Sequence, residues 1–458
     1  MDSSTSSEQT ARVISSLGGF AIVAGSMLGI GIFLSPSIVA ANVHSTPWFF
    51  LVWALGGLTA LAGAVACAEL GAMIPRAGGD YVFQYEAFGP SVAFASGCVL
   101  FGAIFCGSIA TMSVGLCTYQ LPALTGYDFG ATATTLPLLG SITWAQIAAI
   151  ALVLVLTIIN GFGALPSTRT QDVLTLLPVA ALVALALYAV LGGHSPEPPA
   201  NPAPATASSI FGFVTAYMAV YFAYSGWINI IYVAGEVKDP GRNIPLSLIG
   251  GTLAITALYL LLCSGFIRVL GLDGVREAGE VGTAVAGTLL GTAGKLLVTA
   301  MIGAALIASV NATVLGGARV AYAMARRGAL WSWLGSVGTH RVPLRALWLQ
   351  AALSCVLVLS GRFEQLYTMV SLAMVVTGSL TVASVFVLRA TRQSAERPYR
   401  ATGYPWLPAF YVASSVLVVA VMVREAFAGA PGARQPLLGL AILIAAYLAH
   451  RAFARPSP

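Results

Sequence analysis

Apolar runs of about 20 residues, separated by short polar joins, follow one another along almost the whole chain. As a helix, each is long enough to cross roughly 30 Å of hydrocarbon. The runs fall at 14–41, 48–71, 91–121, 142–163, 172–192 and 209–235, then at 246–270, 294–325, 346–361, 364–389, 406–424 and 436–454. This pattern predicts an all-α integral membrane protein of twelve transmembrane helices with both termini on one side. Residues 77–90 (AGGDYVFQYEAFGP) are too polar to cross yet carry Tyr81, Phe83, Tyr85 and Phe88, which predicts a short helix along the interface. Residues 194–207 (HSPEPPANPAPATA) read as an extended Pro/Ala-rich external loop, and 272–293 as a Gly-rich external loop with small interfacial helices.

Two spans are irregular. Span one contains Gly25, Gly29 and Gly31 within V-A-G-S-M-L-G-I-G-I-F (23–33), although a glycine weakens a helix interior by roughly 1 kcal/mol against alanine. Span six is interrupted at F-A-Y-S-G-W (222–227) and stops at Asp239-Pro240. Breaks at matching positions of two five-span units point to an inverted repeat around a midplane site. In lipid every N–H and C=O needs a partner within the protein, so an unwound segment persists only against a cavity or ligand. The second half of a broken helix offers N–H groups to an anion, and the first half offers carbonyls to a cation. Two such helices side by side make a site for a zwitterion without any charged side chain. Close helix packing is the competing reading of the glycines, because Gly25-xxx-Gly29 also fits a small-xxx-small seam.

Composition agrees with a membrane chain: 58% hydrophobic, 8% charged and a mean hydropathy of +0.87. Residues 1–12 are polar and no secretory signal is expected. The six cysteines (Cys67, Cys98, Cys106, Cys117, Cys263, Cys355) lie in apolar runs, without metal-ligand spacing or a disulfide framework. No metal or cofactor is expected. The net charge of +6 is topological. Of the 22 Lys and Arg, only Arg268, Arg276, Lys295, Arg362, Arg424 and Arg434 fall on the side opposite the termini, which places the termini in the cytoplasm. Nucleic acid is not an expected partner. No His-Glu-x-x-His, nucleophile elbow or pair of deep carboxylates occurs, and His44, His194, His340 and His450 fall at loops and span ends, so an enzyme is not expected. Nor are there charge rings or repeated filter loops for a channel.

Six stretches, in order, carry a resemblance. They are G-S-M-L-G-I-G-I-F (25–33), A-E-L-G-A-M-I-P-R-A-G-G-D-Y with E-A-F-G-P (68–90), F-A-Y-S-G-W (222–227), G-E-V-K-D-P-G-R-N-I-P (235–245), G-A-R-V-A-Y-A-M-A-R-R-G (317–328) and E-R-P-Y-R-A-T-G-Y-P (396–405). The chain resembles amino-acid permeases of the amino acid–polyamine–organocation superfamily over about residues 13–455, and looks most like the L-type branch and its bacterial relatives. The resemblance implies a leucine-transporter-like fold: a cytoplasmic tail (1–12), a ten-helix core of two inverted five-helix repeats (13–390), and helices eleven and twelve with the C-terminus (391–458). It implies a secondary transporter in the plasma membrane, working by alternating access as an exchanger or uniporter. A sodium- or proton-coupled symporter of the same fold is the alternative. Composition, with arginine outnumbering lysine, points to a bacterial inner membrane.

Carried over residue by residue, the resemblance puts the substrate carboxylate on the N–H groups around Gly29, Ile30 and Gly31. It puts the amine on carbonyls of Met27, Phe222 and Ser225. Phe222 would close over the substrate and Trp227 would brace the second half of helix six, with ordinary core packing as the other reading of both. Ile30 stands where L-type relatives usually carry a small hydroxyl residue, and Pro178 stands in the register of their helix-five lysine. That leaves a slot for an ion or water, with Ser309, Asn311 and Thr313 the nearest polar groups, unless these only bridge helices. None of the 16 acids lies at midplane depth, so the expected substrate is a small neutral amino acid. Helix ten around Ser371–Thr377 is expected to line its pocket. Glu69, Glu236, Lys238, Arg242 and Arg319 are candidates for a cytoplasmic gate or for interface anchors. A single-span glycoprotein partner, held covalently in animal L-type members, is not expected, since 118–141 lacks a cysteine.

Overall fold

The computed structural model describes residues 12, 14–76, 78–136, 140–162, 168–192, 209–336, 342–360, 363–429 and 437–453. The expectation for 194–207 lies outside these residues. Span one is two helices, α1 (Ser16–Met27) and α2 (Gly31–Asn42), bent by 42° across 28–30. Then come α3 (Thr46–Met73), α4 (Asp80–Phe88) and α5 (Pro90–Thr125), the last with π-helical turns at Leu100–Phe105 and Leu116–Gln120. After α6 (Trp144–Gly161) and α7 (Thr168–Gly192), span six is α8 (Ile210–Ala223) followed, past a break at 224–226, by the 3-10 segment Trp227–Glu236. The remaining helices are α9 (Pro240–Glu277), α10 (Val281–Arg326), α11 (Leu344–Ser360), α12 (Phe363–Thr391), α13 (Trp406–Phe427) and α14 (Leu437–Phe453).

Among the described residues, eight helices are long and apolar enough to cross a membrane, or nine with the bent α1–α2 pair as one span. Shorter apolar helices cover Pro178–Gly192, Leu344–Ser360 and Gly439–Arg451. The protein is thus an all-α membrane protein. One departure is an antiparallel hairpin, β1 (Thr132–Leu136) and β2 (Gly140–Thr143), paired from Thr132↔Thr143 to Leu136↔Gly140 with an irregularity between Thr132 and Thr134. It leads straight into α6 through a capping box. The Thr143 hydroxyl accepts from Gln146 N–H at 3.3 Å and Gln146 Oε1 accepts from Thr143 N–H at 2.9 Å. The 272–293 stretch is helical on either side of a join at 278–280, with positive φ at Gly271 and Gly291 turning the chain.

The breaks in spans one and six face each other. Gly226 has φ +103°, and a Cβ there would lie 2.5 Å from the Ser26 carbonyl oxygen. A Cβ on Gly31 would be driven into the backbone of Ala223. Both glycines therefore let two unwound backbones touch. Neighbouring helices supply donors for the carbonyls thus freed. The Tyr259 hydroxyl of α9 donates to Met27 O at 2.5 Å, with Ala223 O at 3.2 Å as alternative acceptor. Ser309 of α10 donates to Leu28 O at 3.1 Å, with Gly25 O at 3.4 Å. Ser35 of α2 donates to Ala219 O at 2.8 Å. The chain ahead of α1 is also tied to the end of span six. Ile14, just ahead of α1, pairs in parallel with Val237, its N–H donating to Glu236 O and its carbonyl accepting from Lys238, both at 2.9 Å.

Residues 80–88 do form a helix, and its first half is taken into the protein. Asp80, Tyr81, Val82, Phe83 and Gln84 are buried, and α4 packs against α5 and α12. Gln84 Nε2 donates to Thr377 O at 3.1 Å and Thr381 Oγ1 at 2.8 Å on α12. These partners let a polar turn enter the protein, which the amphipathic pattern alone did not reveal.

Replacing Tyr259 by Phe leaves the Met27 carbonyl without its hydroxyl donor in a dry interior. The expected loss is roughly 1–3 kcal/mol, read as a lowered unfolding temperature of the detergent-purified protein. Removing the exposed Tyr127 hydroxyl should move it by no more than about 0.5 kcal/mol.

Candidate functional site

A cavity of about 110 Å³ lies against the two breaks. Span one contributes Ser26, and the break of span six contributes Phe222, Ser225, Gly226 and Trp227. The π-helical turn of α5 brings Leu100, Ile104 and Phe105 into the wall, and α12 brings Met374, Thr377 and Gly378. A π turn shifts the register by one residue and aims extra side chains at one side, a local irregularity that recurs at functional sites.

Of the residues singled out from sequence, Phe222, Ser225, Trp227 and Thr313 are in the wall. The Trp227 ring stands edge-on to Tyr411, centroids 6.4 Å apart. Gly29, Ile30 and Gly31 are not among the wall residues. The Gly29 N–H is used on Met27 O at 2.8 Å, and the Ile30 carbonyl accepts from Phe33 and Leu34, each at 3.1 Å. The N–H groups of Ile30 and Gly31 have no acceptor among the described residues. The Ile30 side chain is fully buried. Met27 is buried, and its carbonyl already takes both Gly29 and Tyr259. Gly29 is bounded by nothing closer than Met112 Sδ at 4.0 Å, so packing does not require a glycine there. Within helix ten, Thr377 reaches the cavity and Ser371 is buried outside its wall.

The nominated slot residues are dispersed. Pro178 is buried within α7, which packs against α1, α9 and α10. Ser309 sits on the carbonyls of span one. Asn311 Oδ1 accepts from Asn160 Nδ2 of α6 at 2.6 Å, and Thr313 donates to Ser309 O at 2.8 Å within its own helix. Among the cytoplasmic charges, Glu236 pairs with Arg319 at 3.3 Å. Glu69 belongs to a different cluster. It takes the Arg389 guanidinium through two hydrogen bonds of 2.9 and 2.5 Å, the Ala401 N–H at 2.7 Å, and Arg397 at 3.3 Å. That buried carboxylate ties α3 to α12 and the chain leading into α13.

One expectation fails. An acid does reach the cavity: Asp80, 4% exposed, at the first turn of α4. Because 77–90 was assigned to the interface, its acid was counted as superficial. The local signal was there, in two glycines ahead of an aspartate. Gly78 and Gly79 have φ of +118° and +53°, and a Cβ on Gly79 would meet the Tyr232 ring. The chain turns tightly enough for the Tyr232 hydroxyl to donate to Asp80 Oδ2. Burial pushes the Asp80 carboxyl up to about 6, while the hydroxyls of Tyr232 and Thr381 act in the opposite direction. Tyr221 and Tyr411, not anticipated either, line the same space with their hydroxyls hydrogen-bonded to each other.

Two broken helices crossing beside a cavity, in an all-helical membrane protein, are the architecture of a transporter rather than of a pore or a hydrolase. Comparison with known proteins names the family. The amino acid permease family profile matches residues 14–446, and the chain belongs to that family. It is 28% identical over 415 residues to a serine/threonine exchanger of Bacillus subtilis, covering 89% of this chain and 90% of that protein. It is 25% identical to the b(0,+)-type amino acid transporter 1 of Mus musculus, covering 89% and 82% respectively. Against the Asc-type amino acid transporter 1 of the same species it is 26% identical, covering 83% and 71%. The protein is an amino-acid permease of the amino acid–polyamine–organocation superfamily and not an enzyme.

Gly226→Ala should yield little monodisperse protein, because its φ and the Ser26 carbonyl both exclude a side chain. Gly29→Ala should purify like the parent, size-exclusion profiles being the measurement. Asp80 adds a pH dependence. Its folded carboxyl titrates near 6 against an ordinary value of 3.8, so its contribution is complete below about 3.8 and is lost as pH rises through 6. The loss is at most roughly 3 kcal/mol, and Asp80→Asn should flatten that part of the melting-temperature profile.

Proposed function

We propose that the protein exchanges small neutral L-amino acids across the cell membrane by alternating access. The observation that carries this reading is the contact between the two breaks: Gly31 against Ala223, Gly226 against Ser26, and one tyrosine hydroxyl within reach of a carbonyl from each. Helices unwound at the same depth in hydrocarbon need a reason to be there, and binding a zwitterion supplies one. In this reading the substrate carboxylate meets the open N–H groups of Ile30 and Gly31 near Gly29. The N-terminal dipole of α2 adds roughly 0.3–2 kcal/mol. The amine meets carbonyls at Met27, Phe222 and Ser225, with Phe222 closing over it and Trp227 as its brace. Relatives named as amino-acid exchangers and transporters support the substrate class.

The same reading sets the topology. The three shorter apolar helices also cross, giving twelve spans: two inverted five-helix repeats over 13–390 after a tail at 1–12, then two more helices over 391–458. Both termini are cytoplasmic, in a bacterial inner membrane, and no covalent glycoprotein partner is needed. Glu236 and Arg319 then pair across the cytoplasmic mouth as a gate. Exchange is favoured over ion-coupled symport by Ser309, whose hydroxyl donates to the carbonyl of Leu28, or alternatively to that of Gly25, in the place where a cation beside Pro178 would sit. Asn311 and Thr313 are likewise engaged in protein hydrogen bonds.

Liposomes containing the purified protein should take up radiolabelled neutral amino acids only when loaded with unlabelled substrate, with or without sodium or proton gradients. Gradient-driven uptake into empty vesicles would replace exchange by symport. Gly29→Leu, which intrudes on the open side of the turn, should abolish uptake without loss of folded protein. Glu236→Gln should raise leak from loaded vesicles, and an unchanged leak rate removes this residue from the gate.

A further inference from the structure

We propose that Asp80 is the point at which the cavity reads the substrate's side chain, its Oδ1 accepting a hydrogen bond from the hydroxyl or amide of a small polar amino acid. The inference rests on the exchange function above and narrows its substrate class. Its basis is an incomplete set of hydrogen bonds. Oδ2 takes the Tyr232 hydroxyl, whereas Oδ1 is buried with no partner among the described residues. The nearest candidate donors are already engaged. Thr381 gives its hydroxyl hydrogen to Thr377 O at 3.1 Å, and its oxygen accepts Gln84 Nε2 at 2.8 Å. The Tyr221 and Tyr411 hydroxyls hold each other.

Among the described residues, no cation is paired with the Asp80 carboxylate either. Glu69 takes Arg389 and Arg397, Glu86 takes Arg76, Arg327 and Arg392, and Glu236 takes Arg319. The other groups close to Asp80 are the neutral side chains of Cys67, Tyr221, Tyr232 and Thr381. A buried acceptor left unpaired is costly, and a charged one more so. The side on which Oδ1 is left open to a further partner is the cavity that Asp80 lines. A cavity of about 110 Å³ suits a side chain of a few heavy atoms. A site built around an unpaired acceptor discriminates strongly, because a substrate lacking the donor leaves it unpaired again.

The alternative occupant is a proton of the carboxyl itself, and the two separate by substrate and by pH. Exchange of L-serine against L-alanine, and of L-threonine against L-2-aminobutyrate, would be measured as kcat/KM in liposomes at pH 7.5 and pH 5. At pH 7.5 the donor-bearing member of each pair should be favoured by about tenfold. The ratio should shrink at pH 5 without vanishing, because the neutral carboxyl is a weaker acceptor but keeps an acceptor oxygen. It should also fall in Asp80→Ala, and by less in Asp80→Asn, which keeps the shape and an acceptor oxygen. Ratios within one variant are independent of how much of it folds. Unchanged ratios in both variants overturn the proposal. So does a pH dependence shared equally by serine and alanine and lost in Asp80→Asn, which makes Asp80 a proton site only. If the parent protein exchanges none of the four, it is the exchange function that fails.

Discussion

A carbonyl or N–H freed at mid-membrane has no water to turn to, and the arrangement of this bundle follows from that constraint. Spans one and six each give up several helical hydrogen bonds. They meet where Gly31 and Gly226 allow backbone to touch backbone. Tyr259 from α9 and Ser309 from α10 then supply donors to the carbonyls left over. The helices carrying these two donors pack against α1, while α9 also packs against the inner segment of span six. The broken region is therefore held from several sides. Among the described residues, the N–H groups of Ile30 and Gly31 are left without an acceptor.

The same logic governs the charged residues. Deep carboxylates in this protein are tolerated where donors converge on them, as on Glu69, which has two guanidinium groups and a backbone N–H. Glu236 and Glu86 lie nearer the surface and pair with arginines. Asp80 differs in meeting hydroxyls rather than cations among the described residues, with an open cavity on its other side. Its position depends on α4 entering the bundle, and that entry depends on Gln84 finding partners on α12. A helix that would otherwise rest at the interface thus becomes the wall of a binding space.

Apolar runs, the six ordered motifs and the two interrupted spans were legible in the chain itself, because hydrocarbon thickness and backbone accounting act on local sequence. They sufficed for the membrane class, the all-helical fold, the family and the two breaks. Phe222, Ser225 and Trp227 were likewise placed in the wall by the interruption that contains them. From sequence, Gly29 and Gly31 shared one expected role at the substrate carboxylate. Only the packed structure shows that Gly31 is required by a close approach to Ala223 while Gly29 faces open space. Asp80 escaped for a related reason. Depth in a membrane protein is set by tertiary contact once a segment is too polar to span, and neither periodicity nor hydropathy records that α12 offers Gln84 two partners. Local chemistry determined which segments cross and where they break; the pairing of freed polar groups between distant segments decided which residues surround the cavity.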